Sequence, residues 1–154
     1  MRNRRGTTPA ACAVAVLACL LAVSVAGCGR KVPLAQVEGT VRLDGRPLAD
    51  ALVCFLPDPE RGAAGPRSVA VADMDGRYRL RCDDGRDGAV LGWHRVLLED
   101  MLLYSVPRLD GAGGARPALA SRIPPRYTTA VKSPLSFEVK AGSQTIDLDI
   151  RSGP

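Results

Sequence analysis

Short segments of alternating apolar and polar residues, separated by glycine-containing turns, are the feature that most restricts how this chain can fold. From 37 to 43 the odd-numbered positions are apolar or glycine and the even-numbered positions are polar. Residues 77–82 repeat the pattern, with Tyr78, Leu80 and Cys82 on one side. Successive side chains of a strand point to opposite faces of a sheet, so these segments are typical of half-buried strands.

The same analysis along the rest of the chain predicts about seven strands and no helix. Asp44-Gly45 and Asp75-Gly76 supply tight turns between them. The sequence therefore predicts an all-β fold, an antiparallel β-sandwich over residues 36–151. The predicted strands cover residues 37–43, 51–57, 68–72, 77–82, 92–100, 135–140 and 146–150.

One connection, at about 100–134, is too long for a simple turn and is rich in Gly, Ala and Pro. Such a loop is usually a functional lid, an insert without regular structure or an element that was assigned wrongly. Within it, we expect Ile123–Tyr127 to pack as an extended strap, because it combines two prolines with an aromatic ring. The alternative for the whole connection is a plain surface loop.

The N-terminus carries a targeting segment. A basic start, MRNRR, precedes an apolar run from 10 to 26, which is the pattern of a secretory signal peptide over residues 1–27. The run ends in Val25-Ala26-Gly27 directly before Cys28, and this resembles the bacterial lipobox. That resemblance implies cleavage before Cys28, a diacylglycerol on its sulfur and a tether over 28–35. An uncleaved membrane helix and plain secretion are the alternatives.

Charge gives little support to nucleic-acid binding. The chain has 21 Lys and Arg against 16 Asp and Glu, a net charge of +5. Cleavage before Cys28 would remove Arg2, Arg4 and Arg5 and leave 18 basic residues against 16 acidic ones, a net charge of +2. No clustered basic face remains in the sequence, so nucleic acid is not an expected partner.

Two cysteines, Cys54 and Cys82, belong to the predicted sandwich. An oxidising compartment would permit a disulfide between them. However, Cys82 shares the inward side of its strand with Tyr78 and Leu80, whereas Cys54 lies opposite Val53 and Phe55 in its own strand. This arrangement favours two separate thiols.

Three stretches, EGTVRLDGRPLADALVCF, ADMDGRYRL and GWHRVLL, resemble the carboxypeptidase regulatory-like domain, a transthyretin-like (prealbumin-like) β-sandwich. The resemblance covers residues 36–99, and the ending is similar to that of short bacterial lipoproteins that carry one such domain. The matching positions are Gly39, Val41, Asp44-Gly45, Pro47-Leu48, Ala51, Val53, Asp73, Asp75-Gly76, Tyr78, Leu80, Gly92, His94 and Val96.

The resemblance implies a fold more firmly than a function. It implies no catalytic residue and no cofactor. Asp73 and Asp75 could ligate Ca²⁺ through carboxylate oxygens, but DxDG at a hairpin is more often a turn. The alternative function is a small transthyretin-like hydrolase using His94. Catalysis by His94 would need a carboxylate such as Asp73 or Asp100 within hydrogen-bond reach.

The sequence thus predicts a non-catalytic, lipid-anchored module that binds another envelope protein or a glycan, or serves assembly. Its predicted binding surface comprises Trp93, Pro124, Arg126 and Tyr127, because aromatic rings beside arginines suit both partners. We expect a bacterial cell envelope location, with the membrane as a partner through the N-terminal lipid. Gly29 after the cysteine, rather than aspartate, favours the outer membrane.

Overall fold

The fold is known from a computed structural model that describes residues 32–105 and 120–153. The expected signal peptide at 1–27, the lipidation site Cys28 and nearly all of the glycine-rich segment at 107–120 lie outside the described residues. Within the described part, no helix is long and apolar enough to span a bilayer. The strands are β1 (Leu34–Leu43), β2 (Arg46–Pro47), β3 (Ala51–Pro57), β4 (Ser68–Val71), β5 (Arg77–Arg79), β6 (Arg81–Cys82), β7 (Ala89–Val90), β8 (Gly92–Asp100), β9 (Ser136–Val139), β10 (Ser143–Thr145) and β11 (Leu148–Ile150).

Two sheets form the domain, which confirms the all-β sandwich. One sheet has the order β6-β4-β3-β8-β9 and is antiparallel throughout. The other is built around β1, to which β2, β5 and β7 pair antiparallel. Short helical turns lie outside the sheets, at Leu102–Ser105 (α1), Pro59–Arg61 and Pro125–Tyr127.

The alternation of residue types places the core between the sheets. In β3, Ala51, Val53 and Phe55 are fully buried in the shared apolar cluster. In β8, Val96 and Leu98 join them from the neighbouring strand. Burial of these aliphatic and aromatic side chains is the main stabilising contribution to such a sandwich.

The C-terminal strands differ from a simple antiparallel meander. The chain crosses from β9 in one sheet to β10 in the other, and both β10 and β11 run parallel to β1. Asp147 lies between β10 and β11. Its side chain bonds to β1 there, since Oδ1 accepts hydrogen bonds from the Thr40 amide and hydroxyl at 2.8 Å. Gly39 allows this crossing, since a Cβ there would lie 1.9 Å from the carbonyl oxygen of Ile146.

Other boundaries also differ from the predicted ones. The stretch 77–82 is divided into β5 and β6, which belong to different sheets. The first strand begins at Leu34, so residues 34 and 35, expected in the tether, pair with β7. The strand β10 occupies residues 143–145, which directly follow the predicted Ala141-Gly142 turn.

The sandwich has two distinct ends along the strand direction. At the entry end the described chain begins at Val32, β3 finishes at Pro57 and β8 begins at Gly92. At the far end β3 begins, β4 finishes and β8 finishes. Since β8 has nine residues, the two ends are roughly 25 Å apart.

Candidate functional site

His94 lies inside the core rather than in a polar site. Its side chain is fully buried beside Phe55, with the ring centroids 5.9 Å apart. Nδ1 is 3.0 Å from the carbonyl oxygen of Gly92, so Nδ1 carries the proton and Nε2 is an acceptor. Nε2 is buried and has no hydrogen-bond partner among the described residues. Burial lowers the pKa of His94 and keeps the imidazole neutral.

Neither carboxylate that would activate His94 is near it. Asp100 lies six residues further along β8, at the far end, and its carboxylate is held by Arg122. Asp73 also lies at the far end, two residues after β4 finishes. The geometry therefore does not favour the hydrolase hypothesis.

Asp73 organises a turn. Its Oδ1 accepts hydrogen bonds from the amides of Asp75 and Arg77 at 2.9 and 2.8 Å. Asp75 is exposed, and its nearest charged partner is the Arg77 guanidinium at 3.9 Å. Among the described residues there is no group of three His, Cys, Asp or Glu side chains that could hold a metal ion. The contacts of Asp73 are those of an Asx turn.

Cys54 and Cys82 are both buried free thiols. Cys82 pairs with Ser68, which pairs in turn with the core residue Phe55, so Cys82 faces inward. Cys54 pairs with Leu97 on the outer face of the same sheet. Burial raises the pKa of the Cys54 thiol, which therefore stays protonated at neutral pH.

Within the long connection, residues 123–127 pack against the core as expected, but Pro125–Tyr127 form a 3-10 turn rather than an extended strap. The burial of Tyr127 corrects the predicted binding surface. Tyr127 is buried in the core, and its hydroxyl accepts a hydrogen bond from the Arg151 amide at 3.3 Å. The Arg126 guanidinium lies 4.8 Å from the Tyr127 ring and donates to the Arg151 carbonyl at 2.6 Å and also to that of Gly153. Pro124 is partly buried at the start of the turn. Arg126 and Tyr127 thereby connect residues 151–153 to the sandwich.

A salt bridge that the sequence analysis missed closes the long loop at its base. Arg122 donates to both carboxylate oxygens of Asp100, at 2.6 and 3.0 Å, and to the carbonyl of Ala49 at 2.9 Å. These hydrogen bonds lower the pKa of the nearly buried Asp100. The available signal was an acidic residue at the inward position of a strand end, which requires a cationic partner.

Trp93 lies at the entry end, on the face of β8 opposite His94, and its ring is partly covered. The Arg61 guanidinium stacks 3.4 Å from the ring centroid and donates to Ser136 at 3.1 Å. On the same face Arg95 donates to the buried Asp58 carboxylate at 3.1 Å. Arg95 also borders a cleft of about 400 Å³ that ends at Val131, a side chain that is 90% exposed. We call Arg61, Trp93, Arg95 and Val131 the Trp93 cluster.

The far end of the sandwich exposes more large apolar side chains than the entry end. Of the six exposed large apolar residues in the described part of the chain, five lie there and only Val131 lies at the entry end. Met74 and Tyr104 are 84% and 70% exposed, and Val71 is 52% exposed. The far-end patch comprises Val71, Met74, Leu102, Leu103 and Tyr104. Its sequence signal was the run MLLY at 101–104, which follows a strand without alternating.

A cleft of about 510 Å³ is lined mainly by residues of β1 and β5 and reaches Val71 of the far-end patch. Glu38 and Arg79 pair across β1 and β5 at 2.9 Å. Hydrogen bonds from Thr40 lower the pKa of Asp147. Arg77 also lines the cleft, 3.9 Å from the exposed Asp75. The cleft therefore carries charges of both signs.

Comparisons with family models, with curated proteins and with solved structures found no match.

Proposed function

We propose that this protein is a lipid-anchored, non-catalytic module of the bacterial cell envelope that binds another envelope protein. The proposal combines acylation of Cys28, expected from the lipobox-like sequence, with a carboxypeptidase regulatory-like sandwich, expected from the Asp-Gly motifs. The observation that supports binding is the far-end patch. Exposed apolar side chains are common singly, whereas a group of them on a rigid domain is typical of an interaction site.

The chemistry of the far-end patch favours a protein over a glycan. Four of its five members are aliphatic or thioether side chains, which offer burial but no hydrogen bonds to sugar hydroxyls. Acidic residues, Asp50, Asp73 and Glu99, lie at the same end, and of these Asp73 is exposed. A partner surface with an apolar centre and basic residues at its rim would complement both features.

The position of the far-end patch also supports presentation to a partner. The described chain begins at Val32, only four residues after Cys28, and Val32 lies at the other end of the sandwich. An anchor at Cys28 would therefore hold the entry end close to the bilayer and leave the far end accessible. Such a module acts as a spacer and a docking platform.

A co-purification experiment tests the proposal. Wild-type protein and the double variant Met74→Glu/Tyr104→Glu are used to capture partners from detergent-solubilised envelope. Both side chains are exposed, so the substitutions should leave folding nearly unchanged. We expect a specific protein that wild type recovers to be lost from the double variant, because charges oppose burial of the patch.

The control is Val131→Glu, which introduces a glutamate at an entry-end position that is 90% exposed, and it is compared with the single variant Met74→Glu at a far-end position that is 84% exposed. Val131→Glu should recover the partner as well as wild type does. If the double variant and wild type recover the same proteins in the same amounts, the far-end patch is not the binding surface.

A further inference from the structure

The beginning of the described chain and the Trp93 cluster lie at the same end of the molecule. Arg86 donates a hydrogen bond to the carbonyl of Val32 at 2.9 Å, and the carbonyl of Pro33 accepts one from the Leu91 amide at 3.4 Å. Trp93 follows Leu91 by two residues on the adjoining strand. The entry point of the chain is therefore held close to Trp93 by the backbone itself.

The proposed anchor leaves this end little freedom to move away from a membrane. Cys28 precedes Val32 by four residues, which span at most roughly 14 Å when fully extended. The distance from the entry end to the far end is larger, at roughly 25 Å. Whatever path the tether takes, an acyl chain on Cys28 keeps the entry end near the lipid headgroups.

The side chains of the Trp93 cluster are those that membrane interfaces prefer. An indole and a guanidinium each combine an apolar body with polar hydrogen atoms, and Trp and Arg are common at headgroup depth. Arg61 and Trp93 are stacked. Val131 lines a cleft with Arg95, which is two residues from Trp93 in β8, and 90% of the Val131 surface is exposed. An exposed aliphatic side chain can enter the boundary between headgroups and acyl chains.

The charges around the cluster do not oppose this contact. Arg95 lies between Asp58 and Glu60, at 3.1 and 3.6 Å. Glu138, the cross-strand neighbour of Trp93, lies 3.9 Å from Lys140. Lys132, next to Val131, is exposed. The basic and acidic groups nearly balance, so the contact would depend on apolar and aromatic groups and persist at high salt.

We propose that the Trp93 cluster docks on the headgroup region of the bilayer that holds the lipidated Cys28, with the far-end patch directed away from it. This inference rests on the acylation in the proposed function. It gives the Trp93 cluster a lipid surface as its ligand, in place of the protein or glycan expected from the sequence. The bilayer then orients the module.

Trp93 is the single tryptophan of the chain, so its fluorescence reports directly on this contact. The protein is purified from producing cells and reconstituted into phosphatidylethanolamine–phosphatidylglycerol vesicles. Part of the lipid carries bromine atoms near the headgroup end of the acyl chains. We expect brominated lipid to quench Trp93 and the vesicles to protect it from acrylamide.

Val131→Glu should abolish the lipid quenching, and Met74→Glu, at the far end, should leave it at the wild-type level. Absence of quenching in wild type, or equal quenching in both variants, would overturn the docking proposal. Intact-mass measurement of the same sample separates the two proposals. An acylated protein without quenching contradicts the docking alone, whereas a protein without lipid mass contradicts the anchor as well.

Discussion

At the scale of residues, the sole histidine is a core residue, and one of its ring nitrogens has no hydrogen-bond partner among the described residues. Nδ1 of His94 satisfies its hydrogen-bonding potential within its own strand, through the carbonyl of Gly92. Nε2 has no partner among the described residues and is fully enclosed. A buried acceptor without a partner costs stability, and protonation would cost more because it would bury a charge.

This environment predicts that stability falls on acidification through the range in which histidine titrates. The pKa of His94 is lowered in the folded state, whereas in the unfolded chain it is about 6.5. Below that value the unfolded state binds a proton that the folded state resists, so the free energy of unfolding decreases as the pH falls from 7.5 to 5. Since no other histidine is present, His94→Phe should make stability nearly independent of pH in that range.

Urea unfolding of both proteins at several pH values measures the effect. The variant should be at least as stable as wild type at neutral pH, because Phe removes the unpaired nitrogen from an aromatic contact with Phe55. Equal pH dependence in the two proteins would show that His94 is not the group responsible.

At the scale of elements, the segment from Arg122 to Thr128 has a structural role, in line with the packing expected for Ile123–Tyr127 from its prolines and aromatic ring. Its ends are attached to different parts of the domain, by Arg122 to Asp100 and by Tyr127 to Arg151. Ile123 and Tyr127 contribute side chains to the core. The segment therefore covers one side of the sandwich and also connects the long loop to β8.

A pair of tyrosine variants separates packing from binding. Tyr127→Ala should lower the free energy of unfolding by about 3 kcal/mol, because it removes a buried aromatic ring from the core. Tyr104→Ala, at a side chain that is 70% exposed, should change it by no more than about 0.5 kcal/mol. Denaturant midpoints measure both. A Tyr127→Ala protein as stable as wild type would mean that this segment does not pack as described.

The elements also show what the sequence could and could not predict. Alternation placed His94, Val96 and Leu98 on one face of β8, since a period of two depends only on local geometry. In β3 both faces are apolar, so the period alone did not identify its inner face. Alternation could not assign β10 and β11 to parallel positions beside β1, because a turn at Gly142 suits a hairpin equally well. Burial of Tyr127 could not be predicted from periodicity, because the residue follows two prolines in a segment without alternation.

The candidate site was predictable only in part. The position of Trp93 on the face opposite His94 followed from strand parity. The stacking of Arg61 on its ring did not, because Arg61 comes from a loop whose path depends on the Pro59–Arg61 turn and the carboxylate of Asp58. The far-end patch requires two segments that are far apart in sequence, 71–74 and 102–104, to meet, and such proximity depends on the complete topology.

At the scale of the whole molecule, the two ends of the sandwich differ in their surface chemistry. The entry end combines the chain start with aromatic and paired charged residues. The far end gathers apolar side chains from the β4–β5 turn and from the segment after β8. A short anchor at the first end would place the second toward the surrounding envelope. The modest net charge of +2 expected after cleavage agrees with a contact that depends on shape and apolar surface rather than on electrostatic attraction.

Intact-mass analysis of the protein isolated from the membranes of producing cells tests the lipid anchor most directly. We expect a chain that begins at Cys28 and carries the additional mass of a diacylglycerol, and a Cys28→Ser variant that lacks this mass and leaves the membrane fraction. A wild-type product that retains the residues before Cys28, or that begins there without lipid, would contradict the account.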